Sequence, residues 1–244
     1  MSNFKDFSAF AAARRSTRDF LPTPVAAEII QSILTDAMTS PSWSNTRPYK
    51  VAVASGGARD RISLDFLARW AALGAARRGG FAAKLRLAVT RFGLPTSNAM
   101  ISRPYVDELK PRSRKIGADL YGLLGVQRGD AEGRDAQWAR NYEFFGAPVE
   151  LFIFTHKSLG KYSASDAGLF MQNLMLSAHA HGLGTCAQGA VAIWQDAVAK
   201  EFEIPKGYKL LCGIAVGYPS DAVVNTFRAE RLPISEIMVA PKRK

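Results

Sequence analysis

The sequence predicts an α+β fold, and three observations exclude the common alternatives. Helical patterns outnumber strand patterns. The strands are not evenly interleaved with crossover helices, as a doubly wound parallel sheet would require. No repeat or low-complexity linker divides the 244 residues, of which 48% are hydrophobic, enough to bury one sizeable core. One domain spanning 1–244 is expected, with a helical excursion at about 59–146 and a C-terminal arm from about 232.

Phe4, Phe7, Phe10 and Ala11 recur at helical spacing and predict a short opening helix. Thr23-Pro24 reads as an N-cap followed by proline at the first helical position, with Val25, Ile29, Ile33 and Ala37 on one apolar face. A polar, turn-rich stretch from Ser40 to Pro48 ends that helix, and Tyr49 to Ala54 reads as a strand. Ile62, Phe66, Trp70 and Leu73 mark a helix from about Arg59 to Arg78. Gly79 to Pro104 is proline-punctuated and carries no assignable pattern. Two helices are expected near Val106–Leu124 and Asp130–Phe144. Pro148 to Thr155 is a buried strand by its apolar run. Ser165 to His181 predicts a long helix stopped by Gly182. A glycine-punctuated turn, Gly182 to Gly189, then leads to a helix near Ile193–Phe202. Lys209 to Val216 is a further strand and Leu232 to Val239 the terminal arm.

The formal net charge is +11, and residues 59–115 hold thirteen Lys or Arg against four Asp or Glu. The segment reads as a solvated helical face. It has no aromatic-rich strand motif, zinc spacing or basic zipper, so nucleic acid is not the expected partner. No apolar run approaches the ~20 residues that span a bilayer, and Met1–Phe10 lacks a signal-peptide core, so no membrane partner and a cytoplasmic location are expected. Cys186 and Cys212 are too few for a disulfide framework.

Gly182-Leu183-Gly184-Thr185-Cys186-Ala187 fits a dinucleotide-binding string, but it follows a helix where that fingerprint must follow a strand. His179 and His181 lie about 200° apart around a helix and cannot share a metal, so none is expected. Without an acid, base or metal set, a bound cofactor is left to carry the chemistry. Arg14-Arg15-Ser16-Thr17-Arg18 offers three guanidiniums and two hydroxyls, donors that suit a phosphate. A second arginine pair, Arg228 and Arg231, follows near the other end of the chain.

Four motifs in this order resemble the FMN-dependent nitroreductase family, over about Arg14 to Ile237. They are Arg-Arg-Ser-Thr-Arg-Asp-Phe at 14–20, Ser-Pro-Ser-x-x-Asn-x-x-Pro-Tyr at 40–49, Gly-Leu-Gly-Thr-Cys-Ala-Gln-Gly at 182–189, and Val-Gly-Tyr-Pro at 216–219 with Val-Asn-Thr-Phe-Arg-x-x-Arg-Leu-Pro at 224–233. The segments at 121–125 and 141–148 look like the subgroup that reduces nitrobenzoates and related nitroaromatics.

The resemblance implies a nitroreductase-like fold, with a central, mainly antiparallel sheet flanked by helices in an intertwined homodimer. It also implies two FMN sites at the subunit interface. By position, Arg14, Arg15 and Ser16 match the phosphate and ribityl contacts, and Arg18 a basic residue near the flavin's pyrimidine edge. Pro41, Ser42, Trp43 and Asn45 match a turn that reaches the flavin from the partner subunit. Gln188 and Gly189 fall where backbone N–H groups face N5, and Arg228 and Arg231 match a phosphate clamp. No protein side chain is expected to be catalytic, because flavin N5 carries the chemistry. The implied activity passes a hydride from NADPH or NADH to the flavin and then two electrons to a small aromatic acceptor, a nitro compound or quinone, in a ping-pong cycle. Trp43 stands where relatives carry a small residue and Arg47 where many carry glutamine. Trp43 is therefore a candidate wall of the substrate pocket, with interface packing as its other role. Enone reduction, reductive dehalogenation and flavin breakdown stay open as chemistries of the same fold, as does a non-catalytic flavin- or nucleic-acid-binding role.

Overall fold

Residues 4–97 and 104–242 are described by the computed structural model of the chain. In chain order they form α1 (Phe4–Ala13), α2 (Ala27–Ala37), β1 (Tyr49–Ser55), α3 (Gly56–Arg78), α4 (Phe81–Thr90), α5 (Leu109–Leu123) and α6 (Ala131–Ala139). Then follow β2 (Val149–His156), α7 (Lys161–Ala180), β3 (Gly184–Gln188), α8 (Gln195–Val198) and β4 (Tyr208–Gly217). The four strands make one sheet in the order β1-β2-β4-β3, every neighbouring pair antiparallel. The α+β expectation therefore holds.

The sheet is covered on both faces, which is why β2 reads as an unbroken apolar run rather than an alternation. On one face Ala54, Phe152, Phe154, Leu210 and Ala215 pack with Ile62 and Phe66 of α3, the Tyr142–Phe145 turn and Trp194. On the other, Leu151, Ile153, Ile214 and Val216 pack with Ile30 and Ile33 of α2 and Phe170 and Leu174 of α7. Phe66 lies at the centre of an aromatic cluster, with Tyr142, Phe144, Phe152 and Trp194 at ring-centroid distances of 5.8–6.4 Å.

Several expected boundaries move, each because tertiary contacts override local propensity. α2 begins at Ala27, not at Pro24; Leu21 N–H donates to Tyr218 O at 2.9 Å and keeps the chain extended up to Ala26. α3 begins at Gly56 and α5 at Leu109. α6 stops at Ala139, and the buried Phe144 and Phe145 turn left-handed (φ 55° each) to enter the core. α7 starts four residues early, just after Gly160 (φ 51°), and Gly182 (φ 75°) follows its end as expected. The helix expected at 193–202 is a 3₁₀ turn, Gly189–Ile193, followed by the one-turn α8. The unassigned stretch holds α4; its residues 98–103 lie outside the described residues.

The largest correction concerns Gly182–Gly189. It is not a turn: residues 184–188 form the edge strand β3, paired from Gly184↔Gly217 to Gln188↔Gly213. Its outer edge receives the N-terminal segment, for Ser16 bridges Thr185 in parallel and Thr17 N–H donates to Thr185 O at 2.9 Å. Glycine is required at 184, because a Cβ there would overlap the Thr17 side chain. No helix among the described residues is long and apolar enough to cross a membrane.

One acid interrupts this interior. Glu150, in β2, is fully buried, and burial pushes its carboxyl well above the usual range, with the Arg59 charge opposing weakly. The folded chain therefore holds a proton that the unfolded chain releases above about pH 4.5. Stability then falls as pH rises from there until the buried carboxyl itself ionises. Glu150→Gln removes this dependence. Its stability advantage over the parent, read from urea unfolding at a series of pH values, is expected to widen between about pH 5 and 8 by up to ~1.4 kcal/mol per unit. A gap that does not change with pH would refute the assignment.

Candidate functional site

The parallel bridge between Ser16 and Thr185 sets the site. It lays the arginine segment along the free edge of β3, and the chain then crosses the end of β4 through the Phe20–Pro219 bridge. The C-terminal loop is fastened to the same segment by Asn225, which is almost fully buried. Its Oδ1 accepts the Arg18 N–H at 2.8 Å, and its Nδ2 donates to Asp19 O at 2.8 Å and Ser220 O at 3.0 Å. Its backbone carbonyl accepts Arg15 Nε at 2.9 Å and an Arg228 guanidinium N–H at 3.2 Å.

As a result, residues more than 200 positions apart line one cleft of about 370 Å³: Arg14, Arg15, Ser16, Arg18, Arg228 and Arg231. None of these five arginines forms an ion pair among the described residues. Burial, then the Arg231 charge, lowers the Arg14 pKa; burial, then Arg228, lowers that of Arg15. The adjacent acids are held elsewhere: Asp19 by Arg140 at 2.7 Å and the Ser220 hydroxyl at 2.6 Å, and Glu230 by Lys115 at 3.3 Å. Guanidiniums brought together without a carboxylate repel one another, and a polyanion removes that repulsion.

Arg18 also lines a second hollow of about 430 Å³, walled by Cys186 and Ala187 of β3, Leu120, Tyr121 and Leu124 from α5 and its end, and Trp138 and Asn141. The two hollows meet at Arg18: one is cationic, and the other has a mixed lining in which Leu120, Tyr121, Leu124 and Trp138 stand beside Asp19, Arg140 and Asn141. Ala187 and Gly189 are exposed along this edge while Gln188 is buried, its Nε2 donating to Asn141 O at 2.7 Å. The Gln188 side chain is thus turned into the interior, and Ala187 and Gly189 are the residues this edge leaves exposed. Cys186 is no nucleophile, because burial raises its thiol to about 11.

The Pro41–Asn45 turn does not line either hollow of the same chain. It sits at the start of α7, where Trp43 N–H donates to Asp166 Oδ2 at 3.1 Å and the indole packs on Tyr162 at 4.3 Å. Ser42 Oγ accepts the Arg47 N–H at 2.9 Å. Trp43 is 55% exposed and Pro41 and Asn45 are exposed too, so this turn is presented outward. Sequence reading missed Asn225 as a structural fastener, although the residue lies inside a quoted motif. It also missed Trp138 and Arg140, which carry no local signal, and gave no site role to Tyr121, although that residue lies in the quoted segment at 121–125.

Comparison with known proteins decides the family. Residues 11–218 match the model described as the Nitroreductase family. The chain belongs to that family. It is 35% identical to a 4-nitrobenzoate reductase of Pseudomonas putida over 227 residues, 93% of this chain and 91% of that protein. It is 32% identical to the nitroreductase NfnB of Mycolicibacterium smegmatis, covering 91% and 87% respectively. The solved structure of an FMN- and NADPH-dependent nitroreductase NfnB from Sphigopyxis superposes with a TM-score of 0.81 at 28% identity, covering 97% of this chain and 99% of that one. An FMN-dependent NfnB from Mycobacterium smegmatis in complex with NADPH gives 0.79 at 29% identity, covering 98% and 99%.

The fastening role of Asn225 can be measured. Asn225→Ala leaves the Arg18 N–H and two carbonyls without their partner, and is expected to lower unfolding stability by about 1–3 kcal/mol. Chemical denaturation reads this directly; a loss below about 0.5 kcal/mol would mean that the two chain ends hold together without it.

Proposed function

We propose that the chain is an FMN-dependent NAD(P)H oxidoreductase that reduces nitroaromatics or quinones and works as a homodimer in the cytoplasm. The observation that carries this reading is the five-arginine cleft without a carboxylate, which meets at Arg18 a second hollow along the β3 edge, walled in part by Tyr121 and Trp138. A flavin mononucleotide has a matching division: a phosphate near dianionic charge at one end and a planar ring system at the other.

When bound, FMN would supply the two-electron exchange between a nicotinamide donor and the acceptor that the proposed ping-pong activity requires. The protein's part is to bind and aim. Arg14, Arg15, Ser16, Arg228 and Arg231 hold the phosphate and ribityl end. Arg18 lies at the junction, where it offsets negative charge that gathers at the pyrimidine edge on reduction. The backbone of the Gln188–Gly189 link, where β3 ends and Gly189 is exposed, would present N–H groups to the flavin ring. Tyr121 and Trp138 give the hollow an aromatic wall, and Leu120 and Leu124 exclude water from it.

The homodimer is supported by two outward features that a single chain leaves uncovered. One is the Pro41–Asn45 turn, whose Pro41, Ser42, Trp43 and Asn45 are assigned to the partner's flavin site. The other is the arm beyond 232, with Ile234, Ile237 and Met238 about 70% exposed and Val239 at 95%. Apolar side chains exposed in such a run mark a contact surface. We assign one domain to residues 1–244, with the α3–α6 region as its helical excursion.

Arg231→Ala removes one charge-assisted bond and is expected to weaken FMN binding by about 1.5–3 kcal/mol, roughly ten- to a hundredfold in Kd. Riboflavin, which lacks the phosphate, serves as the control and is expected to bind the variant and the parent alike. Equal losses for both flavins, or none for FMN, would remove the phosphate assignment. For the acceptor, Trp43→Ala in a protein that remains dimeric by light scattering is expected to raise KM for a nitroaromatic severalfold, corresponding to about 0.5–1.5 kcal/mol of ring contact. A dimer that falls apart instead places Trp43 in interface packing.

A further inference from the structure

Glu150 has no part in the function just proposed, yet it lies in the same sheet as the strand that carries it, one strand away from β3 across β4. The residue is fully buried, and neither carboxyl oxygen has a hydrogen-bond partner among the described residues. The register gives its surroundings. Glu150 opposes Ala215, which opposes Cys186; two residues on, Phe152 opposes Gly213, which opposes Gln188. Positions two apart share a face, so Glu150 and Gln188 lie on the same side of the sheet with Gly213 between them. The absence of a side chain at 213 makes room for the acid: a Cβ there would overlap Glu150 Oε1 and crowd Val191.

Gln188 has a matching defect. Its Nε2 donates to Asn141 O, which fixes the amide orientation and leaves the buried Oε1 without a donor. Two unpartnered acceptors on one face of the sheet, in a dry interior, can satisfy each other only if one carries a proton. The surroundings favour a protonated acid. From α3 the cation is Arg59, and its guanidinium is already bonded to Ala147 O at 3.1 Å and Glu143 O at 2.6 Å, with Asp60 at 2.8 Å. From β3 and β4 the groups are the Cys186 and Cys212 thiols, which burial raises to about 11 and about 12 and so keeps neutral. The charges of Arg14 and Arg18 reach Cys186 from the arginine segment.

We propose that Glu150 is a positioning residue: as a neutral acid it donates to Gln188 Oε1 and clamps the Gln188–Gly189 link from beneath, fixing the aim of its backbone N–H groups. The hydrogen-bond line then runs from Glu150 O–H to Gln188 Oε1 and from Gln188 Nε2–H to Asn141 O. It joins the middle of the sheet to the end of the helical region that walls the second hollow. A neutral acid also avoids a negative charge beneath a flavin that becomes electron-rich on reduction. The aim toward a flavin rests on the proposed function; the hydrogen bond does not.

Infrared difference spectra of flavin-free protein, parent minus Glu150→Gln, test the bond first. At about pH 8, well above the usual carboxylate range, a protonated-carboxyl C=O band is expected. In Gln188→Leu, which removes the acceptor, that band is expected to move to higher frequency. No such band, or a band unmoved by Gln188→Leu, overturns the proposal. Stopped-flow reduction of the FMN-loaded protein by NADPH tests the aim. Glu150→Ala is expected to be slowed about five- to tenfold, the scale of one hydrogen bond, with Glu150→Gln recovering most of the loss because its amide can still donate. A Glu150→Ala protein of native circular dichroism that is reduced at the parent rate overturns the positioning role and leaves the function intact. A parent that takes up no flavin, yet has the infrared band, removes the function and keeps the bond.

Discussion

Asn225 gives both its amide hydrogens to carbonyls, accepts the Arg18 N–H on its side-chain oxygen, and through its own carbonyl receives Arg15 and Arg228. Everything proposed for the site depends on the join it makes. Two stretches of chain that would otherwise repel, each rich in guanidinium, are brought to one place by hydrogen bonds to the neutral amide and carbonyl of Asn225. The Coulomb strain that remains between Arg14 and Arg231, and between Arg15 and Arg228, is left unrelieved within the chain. Electrostatic complementarity is thus prepared on one side. The sheet supplies the platform: β3 is held in register by β4, and β4 is buried on both faces, so the edge that carries the arginine segment has a rigid backing.

The rest of the positive charge behaves differently. In the basic segment, Arg61 pairs with Glu201, Arg69 with Asp65 and Asp196, Arg77 and Arg78 with Asp135, and Lys115 with Asp119 and Glu230. Arg69 is nearly buried and its pairing is bidentate, so it joins α3 to α8 and helps define how the helical region seats. The exposed pairs contribute little each. The high net charge therefore includes cations paired with acids, cations such as Lys84, Arg86 and Arg91 that form no ion pair among the described residues, and five arginines that converge on one cleft. The converging arginines, at 14–18 and 228–231, are the ones the proposed function assigns to binding.

Much of the fold was legible because the signals were strong. The run at 149–155 could only be a strand buried on both sides, and the 3.6-residue period through Ile62, Phe66 and Trp70 fixed α3. What escaped detection had no local signature. β3 is five residues between glycines, with no alternation to report it, and it is a strand because β4 and Ser16 pair with it. The end of α6 is set by Phe144 and Phe145, which leave the helix in a strained backbone to reach the aromatic cluster. The arginines of the candidate site were legible as a chemical type; their convergence is a property of topology. Asn225 could be read as part of a motif but not as the fastener of two chain ends. Glu150, a lone acid within an apolar strand, was a visible anomaly whose meaning needed the cross-strand register.

The Ser42–Arg47 turn has one more consequence. Ser44, Asn45 and Arg47 all adopt left-handed backbone angles, φ 45–56°, a conformation that L-residues other than glycine hold only when the surroundings insist. Here the surroundings are the Asp166 carboxylate on the Trp43 N–H and the Ser42 hydroxyl on the Arg47 N–H. The loop is consequently committed to one shape by the time folding ends. Whatever docks on it meets a preorganised surface, and little conformational entropy is left to lose on contact.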